Sequence, residues 1–156
     1  MNKTLITYFS CSSNTRNVAL KLKEVVLGGD IFEIEPSIPY TDADLNWENE
    51  NSRSSIEMKN ASARPDIKNK INIADYETIY LGFPIWWYTA PRIINTFLES
   101  YDFTNKKVYL FATSGGSNLD NTYLELTKLY PNINFIKTRV FSPSIATSEL
   151  KKELNN

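Results

Sequence analysis

Residues 3–35 read KTLITYFSCSSNTRNVALKLKEVVLGGDIFEIE, and this stretch decides the fold. Lys3–Phe9 is rich in β-branched and aromatic residues and predicts a strand buried on both faces. A polar run follows, Ser10-Cys11-Ser12-Ser13-Asn14-Thr15. Val18, Leu22, Val25 and Val26 then recur at i, i+4, i+7 and i+8, the stripe of an amphipathic helix. Gly28-Gly29 ends that helix where a left-handed residue is favoured. Asp30–Glu35 alternates apolar and polar residues and predicts a second strand. Strand, helix and strand at this spacing form a β-α-β unit, whose crossover makes the two strands parallel.

The rhythm recurs downstream. Thr78–Phe83 reads as a strand, and Pro91–Tyr101 as a helix with Ile93, Ile94, Phe97, Leu98 and Tyr101 on one face. Pro91 suits a first helical turn, where its missing N–H costs nothing. Lys107–Thr113 is the next strand, and Leu119, Tyr123, Leu126 and Tyr130 mark the helix after it. Asn134–Thr138 fits a short fifth strand and Glu149–Leu154 a last short helix. Alternating β and α elements predict a doubly wound parallel sheet. Pro36–Lys70 interrupts the alternation with a polar insert in which Trp47, Ile56 and Met58 are isolated apolar anchors. A structureless loop of this length is unusual. One helical piece is therefore expected around Ser52–Lys59, lying across the sheet edge or a ligand site.

With 156 residues, 42% of them hydrophobic, the chain suits one domain over residues 1–156 with the insert at about 36–70. A net charge of −1 offers no basic field, so neither nucleic acid nor an anionic membrane is an expected partner. The absence of histidine excludes Ser-His-Asp and Cys-His catalysis, imidazole metal sites and histidine pH switches. One cysteine permits neither an internal disulfide nor a thiolate cluster. Asp42, Asp44, Glu48 and Glu50 lack ligand-type spacing, so no metal site is expected. The start, MNKTLITYFS, has no small-residue cleavage site, and no apolar run approaches the ~20 residues of a membrane span. A soluble cytoplasmic protein is expected, whose redox or catalytic chemistry would come from a bound cofactor. No G-x-G-x-x-G follows any strand, which leaves a dedicated dinucleotide fold unsupported.

In open parallel sheets ligands bind beyond the carboxyl ends of the strands, where the strand order reverses. Three segments leave such ends: Ser10–Thr15, Pro84-Ile85-Trp86-Trp87-Tyr88 and Ser114-Gly115-Gly116-Ser117. Of five glycines, Gly82, Gly115 and Gly116 fall at two of these exits, which suggests close backbone approach to something flat or anionic. The first exit places Ser10, Ser12, Ser13, Asn14 and Thr15 on a helix N-terminus, where unpaired N–H groups and the dipole attract a phosphate. Ordinary helix capping would use the same residue types. Arg16 either adds charge there or sits solvated on the helix. The second exit carries adjacent tryptophans and a tyrosine, suited to stacking on a planar ring or to roofing the core. The third, Thr113 with Ser114, Gly115 and Gly116, offers backbone groups to a ring edge or is a plain turn. Together they describe a ligand with a phosphate at one end and a planar heterocycle at the other.

YFSCSSNT at Tyr8–Thr15, LGFPIWWY at Leu81–Tyr88 and FATSGGS at Phe111–Ser117 resemble the FMN-binding loops of flavodoxin-like proteins, in particular small bacterial ones with a G-x-P-x-W-W loop. The likeness spans nearly the whole chain, including DLNWENENSRSSIEM at Asp44–Met58. It implies a flavodoxin-like α/β fold, a doubly wound five-stranded parallel sheet of strand order 2-1-3-4-5 with helices on both faces. It further implies FMN, with Ser10, Ser12, Asn14 and Thr15 on the phosphate. Pro84, Trp86 and Trp87 would flank the isoalloxazine, with Ile85 and Tyr88 in the same loop, and Thr113, Gly115 and Gly116 would meet its polar edge. Two positions depart from the family pattern: Ser13 replaces the glycine of T-G-N-T, and Tyr88 stands where glycine often follows the tryptophans. The implied function is electron transfer. The protein would be an NAD(P)H-dependent oxidoreductase, with Tyr88 or Tyr40 as proton donor, or a carrier passing electrons to a redox partner protein. A non-catalytic module binding a phosphate-bearing small molecule is the alternative. Cys11, at the helix N-terminus, is either a thiol of depressed pKa or a loop filler. Arg53 and Glu57 have the i, i+4 spacing of an ion pair.

Overall fold

A computed structural model describes residues 3–114 and 116–154. Strand β1 (Lys3–Tyr8) is followed by α1 (Asn14–Val25), β2 (Asp30–Glu33) and α2 (Arg53–Lys59), and then by β3 (Tyr76–Pro84) and α3 (Arg92–Ser100). The chain ends with β4 (Lys107–Thr113), α4 (Asp120–Leu129), β5 (Asn134–Val140) and α5 (Thr147–Leu154). All neighbouring strands pair in parallel, in the order β2-β1-β3-β4-β5. The expected doubly wound sheet is therefore the observed one. β3 starts two residues before the expected Thr78, and β5 runs two beyond Thr138.

Alternation along the strands divides the core into two layers. Leu5 and Phe9 of the first strand segment pack with Ile79, Leu81, Val108 and Leu110 under Ile93, Ile94 and Phe97 of α3 and Leu126 of α4. Ile6 and Tyr8 face the other way, with Phe111 under Val18, Ala19 and Leu22 of α1 and Leu150 of α5. The predicted stripe of α1 is accordingly buried at Val18 and Leu22 and half-buried at Val25 and Val26.

The insert closes on itself at its base. Pro36 and Ile67 form an antiparallel bridge, Ser37 N–H donates to Asp66 O and Lys68 N–H to Glu35 O. Its helical piece falls where expected, started by Ser52, whose hydroxyl accepts from Ser55 N–H. Met58 is buried, but Trp47 (69% exposed) and Ile56 (55%) are not anchors. A seven-residue helix offers one narrow buried stripe, and Ser54, Ser55 and Met58 occupy it. Among the described residues, no helix is long and apolar enough to cross a membrane.

Gly82 lies inside β3 rather than at its exit, so its approach to a flat group is internal: the group is the Phe111 ring. A Cβ at this position would lie 2.1 Å from Phe111 Cζ. Gly82→Ala should therefore cost about 3 kcal/mol through overpacking, and a compensating Phe111→Leu should recover part of that loss. Urea midpoints of the three variants measure both effects.

Candidate functional site

The carboxyl ends of β1, β3 and β4 are tied together by short-range bonds. Phe9 N–H donates to Gly82 O across the first two, and Ile85 N–H to Thr113 O across the second and third. Beneath them Thr15 Oγ1 and Thr113 Oγ1 share a buried hydrogen bond of 2.8 Å. One hydroxyl donates to the other, so the acceptor keeps a free proton for a further partner. Three loops distant in sequence thus share one floor.

On the first exit, Ser10 Oγ accepts from Arg16 N–H, and Asn17 N–H donates to Ser13 O. The Asn14 and Thr15 amides open the helix and have no intrahelical acceptor. Ser12, Ser13 and Asn14 are exposed around those amides, whereas Thr15 is buried. Arg16 turns away from the loop: it pairs with Glu33, and its Nε donates to the Tyr8 hydroxyl. Tyr8 also donates to Glu33, and burial is the largest cause raising its pKa.

The second exit is a tight turn. Trp86 N–H donates to Thr89 O and Thr89 N–H to Trp86 O. Trp87 (φ 48°) and Tyr88 (φ 65°) between them both adopt left-handed backbone, the pattern of a type I′ turn. Trp86 is half-buried, 5.7 Å from Phe9 and 5.5 Å from Tyr40, edge-on to both rings. Trp87 is 42% exposed and Tyr88 72%. One tryptophan packs inward and one faces out, because the turn begins between them. Pro84 and Ile85 are half-buried beneath them.

Behind this turn stands the insert. Arg53 of α2 lies 3.7 Å over the Tyr40 ring, and its Nε donates to Glu57 at 3.1 Å. Tyr40 donates its hydroxyl proton to Glu57 at 2.5 Å. Burial, then this bond, raises the tyrosine pKa strongly, so Tyr40 holds its proton and is a poor donor to a ligand. Sequence reasoning missed three residues: Arg92, Asn121 and Glu125. Arg92, buried although charged, donates to the carbonyls of Glu57 and Met58. Glu125 accepts from Thr89 Oγ1, and Asn121 Nδ2 donates to Tyr88 O. Only the arginine on an apolar helix face hinted at this network.

At the third exit Ser114 Oγ accepts from the N–H groups of Gly116 and Ser117, so it shapes its own loop. Gly116 is exposed with open space around it, and Gly115 lies outside the described residues. Among the described residues no three potential ligands converge on a metal position. Asp44 instead accepts from Thr41 N–H.

A flavodoxin family model matches residues 3–156. The chain belongs to the flavodoxin family. It is similar over 99% of both chains to a protein of Bacteroides uniformis ATCC 8492 named as a candidate flavoprotein, at 45% identity and TM-score 0.95. A second, from Bacteroides eggerthii DSM 20697, shows 43% identity and TM-score 0.93, covering 99% of this chain and 97% of that one. A flavoprotein of Lactobacillus acidophilus NCFM, solved in complex with FMN, shares 25% identity at TM-score 0.74, covering 99% of each chain. No curated protein matches.

At Ser13, where the commonest flavodoxin phosphate loop carries glycine, the backbone takes φ 71° and the side chain makes no capping bond. Serine keeps the left-handed turn at a steric cost of ~1–2 kcal/mol. Ser13→Gly should relieve most of it and raise stability by ~0.5–1 kcal/mol after the added chain entropy, seen as a melting temperature higher by ~2 °C. Cys11 runs against the helix-dipole expectation. Although the residue is exposed, desolvation of its thiol is the main cause raising it to about 12. Alkylation by iodoacetamide at pH 8, followed by mass spectrometry, should therefore be at least about tenfold slower than for an unperturbed thiol, the smaller thiolate fraction outweighing its higher nucleophilicity.

Proposed function

We propose that this flavodoxin-family protein binds FMN at the edge formed by β1, β3 and β4 and works in electron transfer. The observation that carries the reading is the shared floor. With the Phe9–Gly82 and Ile85–Thr113 backbone bonds, the Thr15–Thr113 bond supports a reading in which the open amides of α1 and the outward Trp87–Tyr88 turn serve one ligand. The residues fit the cofactor. The amides of Asn14 and Thr15, with the exposed groups of Ser12, Ser13 and Asn14, would hold the phosphate without a cation. Trp87 and Tyr88 would cover the ring, with Trp86 supporting the turn from inside, and Gly116 and the free Thr113–Thr15 hydroxyl proton would lie toward its edge. The FMN complex of the Lactobacillus acidophilus relative supports the same ligand.

FMN supplies reversible one- and two-electron chemistry, and the chain's residues bind, orient and shield it. With a net charge of −1 the protein has little field for docking on a basic partner. That favours a reductase drawing hydride from NAD(P)H over a carrier. Proton delivery then falls to solvent or to the exposed Tyr88, because Tyr40 is committed to Glu57. Anaerobic mixing of FMN-loaded protein with NADH or NADPH separates the two: rapid bleaching of the flavin marks a reductase, and persistence of colour a carrier.

The two halves of the site are tested apart with FMN and riboflavin. Ser12→Ala and Asn14→Ala should each weaken FMN roughly ten- to a hundredfold, since a bond to a charged group is worth ~1.5–3 kcal/mol, and leave riboflavin nearly unchanged. Trp87→Ala should weaken both by ~1–3 kcal/mol with little loss of apoprotein stability. Fluorescence quenching titrations give these affinities. A protein that stays colourless after incubation with FMN would overturn the reading.

A further inference from the structure

The Trp86–Thr89 turn places two bulky aromatic residues at positions that favour glycine or asparagine. Such backbone persists only where its surroundings over-determine it. Two side chains of α4, one helical turn apart, supply that determination. Asn121 Nδ2 donates to Tyr88 O at 2.9 Å, on the second left-handed residue. Glu125 Oε2 accepts from Thr89 Oγ1 at 2.8 Å, on the residue that closes the turn. The other carboxylate oxygen of Glu125 is 3.6 Å from Arg92 Nη1, and Arg92 is buried with further donations to Glu57 O and Met58 O at the end of α2. The grip on the turn therefore reaches from α4 through α3 to the insert.

Resting on the flavin reading above, we propose that Asn121 and Glu125 are positioning residues for the ring-binding side of the site, clamping Trp87 and Tyr88 in the left-handed geometry that presents them to the ligand. They touch no ligand themselves. Their contribution is to populate the binding-competent turn, so releasing them lowers apparent affinity by the fraction of time the turn is lost. The effect falls on the ring side, common to FMN and riboflavin, and leaves phosphate recognition alone. Glycine at position 88 adopts positive φ without help, so the bond from Asn121 to the carbonyl of residue 88 is needed chiefly because that residue is tyrosine.

Asn121→Asp tests this with little change of shape, since a carboxylate cannot donate to Tyr88 O. Two measurements are made, with and without Tyr88→Gly. The first is amide hydrogen exchange of the unliganded protein at Trp86 and Thr89, the two N–H groups that close the turn. Asn121→Asp is expected to speed both roughly tenfold while leaving the core amides of β3 unchanged. The second is affinity for FMN and for riboflavin, expected to fall roughly five- to tenfold with their ratio constant. In the Tyr88→Gly background the same substitution should change either readout less than twofold. Glu125→Ala should follow the Asn121→Asp pattern, with Glu125→Gln closer to the unsubstituted protein because it still accepts from Thr89. Unaltered exchange at Trp86 and Thr89, or an equal penalty with and without Tyr88→Gly, overturns the clamp. Failure of the unsubstituted protein to bind either flavin overturns the functional reading instead, and the exchange rates, read without flavin, keep the two outcomes apart.

Discussion

Every element of this protein takes its place from β1, which is hydrogen-bonded in parallel on both sides, to β2 through Leu5–Tyr8 and to β3 along its whole length. The chain leaves β1 through α1 to reach β2 on one flank, then crosses back to place β3 on the other. Helix α1 lies with α5 on one face of the sheet, and α3 lies with α4 on the opposite face. The connections leaving β1 and β3 therefore diverge onto opposite faces, the arrangement at which open parallel sheets bind ligands. The parallel arrangement sends the carboxyl ends of β1, β3 and β4 to the same edge. Topology thus sets the edge of the proposed site before any particular side chain is considered.

What fills that edge is set by how its charges are disposed. Arg16 is paired with Glu33, Arg53 with Glu57 and Arg92 with Glu125. Each arginine also holds backbone or an aromatic group: Arg53 the Ile38 carbonyl and the Tyr40 ring, Arg92 the last carbonyls of α2. These arginines serve the framework, and the proposed site offers amides, hydroxyls and aromatic faces. A ligand phosphate would be met by oriented dipoles rather than by opposite charge, which suits a neutral planar group beside it. The insert has its reason here as well: Tyr40 and α2 back the Phe9–Trp86 contact from outside the sheet.

Strands and helices were legible because each buries a periodic face. KVYLFAT became β4 without change of boundary, and the Ile93–Phe97 face of α3 is fully buried. The three exits were legible too, since loops at one edge of a parallel sheet are neighbours by construction. Side-chain direction within them was not. Thr15 and Ser10 both read as ligand groups, and local pattern gave no sign of their protein partners, Thr113 Oγ1 and the Arg16 N–H. A hydroxyl takes the nearest acceptor or donor the tertiary fold brings to it, and that neighbour is about a hundred residues away for Thr15, beyond any local pattern. Ile56 failed as an anchor for a related reason: apolar character shows a preference for burial, whereas the short α2 buries only Ser54, Ser55 and Met58, and the exposure of Trp47 outside that helix has no structural explanation.

Backbone conformation carries the remaining part of the story. Of the non-glycine residues with positive φ among those described, Ser13, Trp87 and Tyr88 lie on the segments leaving β1 and β3, and Asn105 is of a type that tolerates the conformation. At ~1–2 kcal/mol for each such residue, the three together oppose folding by an amount comparable to a sizeable share of the ~5–15 kcal/mol that stabilises a domain. Local preference would place all three elsewhere in φ. Local bonds close both turns, Asn17 N–H to the Ser13 carbonyl and the paired Trp86 and Thr89 backbones, and Asn121 of α4 adds a hold on Tyr88 from a remote element. Strain concentrated at one edge and balanced by tertiary contacts is what a pre-shaped binding site requires. It keeps the amides of α1 and the aromatic turn in place, so binding at the proposed site would not have to supply the energy to form them.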